Sequence, residues 1–104
     1  MVVEGDVLTL ARRMPARFDV SATTRLPDAR RGRVAHQVRQ DLWRALRDVR
    51  GFSPVVRVVR EAAGLRVEAG GRVEGAAAPA ALEARIAEML SCEARRARWV
   101  RCAR

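Results

Sequence analysis

The residues able to do chemistry in this 104-residue chain are one histidine, two cysteines and twelve carboxylates, and their spacing offers catalysis little. His36 falls in a helical pattern on the side away from the apolar residues. Gln40 is its neighbour one turn on, Arg33 and Arg47 lie close in angle, and no carboxylate stands by to orient the imidazole. A general base needs that support, so His36 reads as a solvated surface residue. Asp41 and Asp48 share a helix face, with Arg44 between them at i+3 and i−4, which is the spacing of surface ion pairing. Glu83 and Glu88 flank Arg85 in the same way. Cys92 and Cys102 have no CxxC spacing and a single histidine to help them, so neither a disulfide framework nor a zinc site is expected. There is no GxSxG, no P-loop and no dinucleotide fingerprint, and Gly70-Gly71 reads as a turn. The expectation is a protein that is not an enzyme, with no cofactor, no metal and no evident small-molecule substrate.

The arginines are the stronger signal. All 21 basic residues are Arg, against 12 acids, which leaves a net charge of +9. Lys and Asn are both absent, which fits a GC-rich coding bias; that bias explains the choice of Arg over Lys but not the excess of positive charge. Two clusters stand out. Arg33, Arg44 and Arg47 project from one helical stretch among Gln37 and Gln40, with Trp43 at the edge of its apolar arc between Arg39 and Arg50. Arg95, Arg96, Arg98, Arg101 and Arg104 crowd the last ten residues, which contain no acid, around Trp99 and Val100. Guanidinium groups of this density suit an acidic protein partner, and also phosphate in nucleic acid, where a ring can stack on an unpaired base. No helix-turn-helix pair, RNP-type aromatic motif or Gly-x-x-Gly clamp accompanies them. The leading reading is therefore a binding or assembly protein that meets an acidic protein partner, or itself as a homodimer. A nucleic-acid-binding accessory protein (RNA or DNA) without strong sequence preference is the alternative. Both tryptophans read as core or interface residues before base-stacking ones.

These side chains need elements to position them. Val7–Ala11 is a short apolar strand ended by Pro15. Phe18, Val20, Ala22, Thr24 and Leu26 alternate with polar residues, which predicts a strand with one buried face. The two are expected to pair through the Arg12–Arg17 connection. Asp28 is the expected cap of a helix running to about Val49, with Gly51 as its stop. Val34, Ala35, Val38, Leu42, Ala45, Leu46 and Val49 fall within one arc of that helix. Val55–Val59 and Leu65–Ala69 predict a hairpin in which Val58 faces Val67, Val56 faces Ala69 and Arg57 faces Glu68. Gly70–Ala78 reads as loop, with room for a short strand at Arg72–Glu74. A second helix starts near Pro79 with Leu82, Ile86, Met89 and Leu90 inward, and Ser91 is the expected cap of a short basic helix from Cys92 to Cys102.

The order predicts a single α+β domain over residues 1–104: an antiparallel sheet of four to five strands in ββαββα order, two main helices on one face, and a basic C-terminal helix. The opposite face carries Arg17, Asp19, Ser21, Thr23, Arg25, Arg57, Arg66 and Glu68. Val55 and Val59 interrupt that polar face, which marks either a dimer seam or a covered patch. Of the apolar residues, 19 are Ala and 14 are Val, and Leu, Ile, Met, Phe and Trp supply 16. The core should therefore be thin, with stability towards the lower end of the usual range of roughly 5–15 kcal/mol. No apolar run approaches membrane-spanning length, and the acidic start, Met1–Asp6, lacks the basic-then-apolar pattern of a secretory signal. A cytoplasmic location is the expectation.

Overall fold

The computed structural model describes residues 1–75 and 78–104. In chain order the elements are β1 (Val2–Glu4), β2 (Val7–Ala11), β3 (Val20–Leu26), α1 (Arg31–Leu46), β4 (Phe52–Glu61), β5 (Gly64–Val73), α2 (Pro79–Ser91) and α3 (Glu93–Cys102). The five strands form one antiparallel sheet in the order β1-β2-β4-β5-β3, so the fold is α+β as expected. Helices α1 and α2 cover one face, and α3 packs along both of them.

The central hairpin follows the predicted register: Val58 opposes Val67, Val56 opposes Ala69 and Arg57 opposes Glu68. Its inward residues are fully buried against α1, which contributes Val34, Ala35, Val38, Leu42 and Leu46. Leu8 and Leu10 of β2 extend this apolar face by pairing with Val58 and Val56. The alternation of period two in the strands meets the period of 3.6 in the helix, and that agreement defines the core.

The strand pairing departs from expectation in one respect that shapes the whole surface. β2 and β3 are not neighbours: β2 pairs with β4, and β3 pairs with β5 at the far edge. Three strand spacings separate them, about 14 Å. The eight-residue connection 12–19 spans up to about 26 Å when extended, so it can cross the sheet instead of turning back. It crosses the helix-free face. Phe18 accordingly lies on that face, its ring centroid 5.2 Å from the Arg57 guanidinium carbon, and not inside with Val20 as the alternation predicted. β3 begins only at Val20. The crossing segment also accounts for Val55, which is buried at 3% exposure with Pro15 beside it, so a covered patch and not a dimer seam explains that valine.

Other boundaries shift for local reasons. β1 extends the sheet at one edge, joined to β2 by Gly5-Asp6, where Gly5 takes the positive φ of a tight hairpin. Three residues are too few for an alternation signal. α1 starts at Arg31 without a side-chain cap and ends at Leu46; Asp28 instead lies 3.7 Å from Arg60. Gly70-Gly71 is not a turn. Both residues lie inside β5, which runs on through Arg72 to Val73. A Cβ at Gly70 would meet the Val20 carbonyl oxygen, and one at Gly71 would meet that of Ser53. The pair is glycine because its neighbours approach so closely. Ser91 does not cap α3; its hydroxyl donates to the Glu88 carbonyl at 3.0 Å. The alanine run read as loop falls partly outside the described residues. Within the described residues no helix is long and apolar enough to cross a membrane.

Candidate anion-binding surfaces

The structure divides the arginines into two populations. One is bound up in the fold. Arg85 of α2 reaches α1, donating to the Ala45 carbonyl at 2.6 Å and to Asp48 at 2.7 Å. The same guanidinium holds the Asp48 carboxyl below its ordinary range by hydrogen bonding it. Glu83 is not its partner, since that carboxylate accepts the Ser21 backbone N–H at 2.9 Å. On the helix-free face Arg25 pairs with Glu61 at 2.9 Å, and Arg57 with Glu68 at 3.4 Å.

The C-terminal cluster is split by this division. Arg96 donates to the Thr24 hydroxyl, to the Arg25 carbonyl at 2.5 Å and to the Leu90 carbonyl at 3.3 Å, which ties α3 to β3 and to the end of α2. Arg98 donates to Asp41. The second partner of that carboxylate is the indole N–H of Trp99 at 2.7 Å. Asp41 is 5% exposed, so it is not the surface ion-pairing residue that its spacing to Arg44 and Asp48 suggested. Arg44 stands 3.9 Å from it with an exposed side chain. Trp99 is fully buried, as its core reading anticipated. Arg95, half-buried, lines a shallow depression with Ala45, Arg85, Glu88 and Met89, while Arg101 is exposed.

The other population is free. Arg33 on α1 and Arg47, which caps its C-terminal end, are exposed and make no hydrogen bond or ion pair among the described residues. With Arg44, Gln40 and His36 they occupy the side of α1 opposite its buried arc. Trp43 shares that side at 52% exposure, which removes it from the core. The α1 cluster read from sequence is thus one continuous exposed face, whereas the C-terminal one keeps only part of its arginines outward.

A third arginine cluster was not legible in the sequence. Arg12, Arg13 and Arg17 of the crossing segment meet Arg72 at the end of β5 and Ser53 at the start of β4, around a cleft of about 210 Å³. Ala11, Pro15, Gly51, Phe52 and Val55 complete its walls, Phe52 with its side chain packed on the core, and Glu74 is the one acid lining it. Arg17 is fixed by a fork to Asp19, with Nε and Nη2 at 2.9 and 3.0 Å from the two carboxylate oxygens. Asp19 also accepts the Val73 backbone N–H at 2.9 Å. The Arg17 hydrogen bonds, and after them the Val73 N–H, hold the Asp19 carboxyl below its ordinary range. The carboxylate is thereby engaged with Arg17, and Arg12, Arg13 and Arg72 have no partner among the described residues. The signal in the sequence was Arg12-Arg13 alone; Arg72 joins it only through the strand order.

No protein-family model, curated protein or solved structure matches the chain.

Proposed function

We propose that the chain is a non-catalytic binding protein whose docking face is the solvent side of α1, and that its partner is an acidic protein surface. The observation that carries this reading is the exposure of Trp43 beside Arg33, Arg44 and Arg47 on one helix face. Tryptophan and arginine are the residue types that dominate binding energy in protein interfaces, because each combines a large contact area with a directed polar group. Charge complementarity selects an acidic surface. A second copy of the chain suits this face poorly, since a two-fold contact would set arginines against their own counterparts. The nucleic-acid alternative is weakened by Arg96 and Arg98, which turn inward and interrupt the run of cations in α3.

The test is capture of partners from nuclease-treated extract of the native cell, comparing the parent with Trp43→Ala and with the Arg33→Glu, Arg47→Glu pair. These residues are exposed, so the variants should keep the parent's circular dichroism. Retention of an acidic protein by the parent, with affinity reduced about 30-fold or more in Trp43→Ala, supports the reading. Equal capture by both variants, loss of capture on nuclease treatment, or twice the monomer mass in light scattering that both variants reduce to the monomer value, overturns it.

A further inference from the structure

We propose that the arginine-lined cleft at the end of the helix-free face is a binding site for a small phosphomonoester. It lies across the sheet from α1 and is independent of the docking face. Three features carry the assignment. First, the cleft concentrates charge: its arginines outnumber Glu74 and Asp19 by two, and Arg12, Arg13 and Arg72 lack partners among the described residues. Like charges gathered in excess of their counterions repel one another, so a bound dianion removes a standing cost as well as making new hydrogen bonds. Second, the donors suit a phosphoryl group. Guanidinium forks match phosphate oxygens, and the Ser53 hydroxyl beside Arg72 in the ladder is free among the described residues to donate a further bond. Third, the remaining walls are apolar. Pro15 and Ala11 can take the organic part of an ester, which inorganic phosphate lacks, while Phe52 turns its side chain to the other face of the sheet and packs on the core. A volume of about 210 Å³ is below the roughly 300–1,000 Å³ of drug-sized sites, so the ligand is small.

The cleft also has a fixed frame. Asp19 clamps Arg17 and, through the Val73 N–H, joins the crossing segment to the end of β5. The Glu74 N–H donates to the Gly51 carbonyl at 3.2 Å, which holds the start of β4 to the same corner. The free arginines thus extend from an ordered rim.

Titration calorimetry with phenyl phosphate and with inorganic phosphate, at constant ionic strength in chloride, tests the assignment. Saturable binding of phenyl phosphate, about tenfold tighter than inorganic phosphate, is expected. The Arg12→Ala, Arg72→Ala pair should weaken it about tenfold or more, because two charge-assisted hydrogen bonds at a solvent-screened rim are lost. The Arg33→Ala, Arg47→Ala pair on α1 should leave it within about twofold. Circular dichroism checks that each variant is folded, and Arg13→Ala, at an exposed site, gives a second cleft variant should Arg72 prove necessary for folding. Absence of saturable binding, equal affinity for the two phosphates, or equal weakening by the α1 pair overturns the proposal.

Discussion

Replacing Asp41 by alanine should be far more damaging than its place among polar residues of α1 suggests. The carboxylate is 5% exposed and accepts two hydrogen bonds, from the Trp99 indole and from Arg98. Trp99 is fully buried, so its N–H would be left without a partner, at a cost of about 1–3 kcal/mol. Arg98 is 38% exposed and can recover part of its loss from water, which reduces its share to about 1 kcal/mol. The total is about 2–4 kcal/mol. At roughly 4–8 °C per kcal/mol for a domain of this size, Tm should fall by roughly 8–32 °C. Asp41→Asn keeps an oxygen for the indole and should lose only about 1 kcal/mol. Urea unfolding followed by circular dichroism, and by Trp99 emission in a Trp43→Phe background, measures both. An Asp41→Ala midpoint within about 0.5 kcal/mol of the parent would refute the reasoning and return Asp41 to the exposed ion pairs.

Two further predictions separate arginines that hold the fold from those that do not, and follow the Asp19 clamp with pH. Arg96→Ala should lower the stability to urea by about 1–3 kcal/mol, because three acceptors on α2 and β3 lose their donor; Arg101→Ala should stay within about 0.5 kcal/mol, and equal midpoints would contradict the division. Asp19 has a lowered carboxyl pKa in the folded protein, so its clamp with Arg17 contributes fully above the unfolded value near pH 4 and declines as pH falls through the folded value. The ¹³C carboxyl titration of Asp19 should therefore have its midpoint below pH 4, and Arg17→Ala should move it upward; an unmoved midpoint would show that the fork is not its cause.

The parts of this fold legible in the sequence are those where one periodicity decides the outcome. The buried arc of α1 and the register of β4 against β5 follow from apolar spacing, since a slip of one residue would turn Val56, Val58 and Val67 to water. Pairing between distant strands carries no such signal. Residues 12–19 have the composition of a connection whether they turn back or cross the sheet, and only the second course covers Val55 and places Phe18 under Arg57. Gly70-Gly71 misleads for a related reason. Glycine serves turns and close strand contacts equally well, and the deciding atoms, the carbonyl oxygens of Val20 and Ser53, belong to other strands.

The same limit governs the charged residues, where a count of neighbours along the chain fails in both directions. The densest run of arginine, in α3, yields its two middle members to the fold, because β3 offers the Thr24 hydroxyl and the Arg25 carbonyl to Arg96 and α1 offers Asp41 to Arg98. Arg12, Arg13 and Arg72, which are not conspicuous in the sequence, end up together in excess of the acids near them and form no ion pair among the described residues. Acids are engaged elsewhere: Glu61 and Glu68 on the helix-free face, Asp48 between α1 and α2, Asp41 beneath α3. A net charge of +9 is what remains after that pairing, and it is not spread evenly. It gathers on the outer side of α1, beside an exposed tryptophan, and in a cleft with apolar walls. The ligands proposed for the two settings differ, an extended acidic surface for one and a compact dianion for the other, so disabling one should leave the other's binding unchanged.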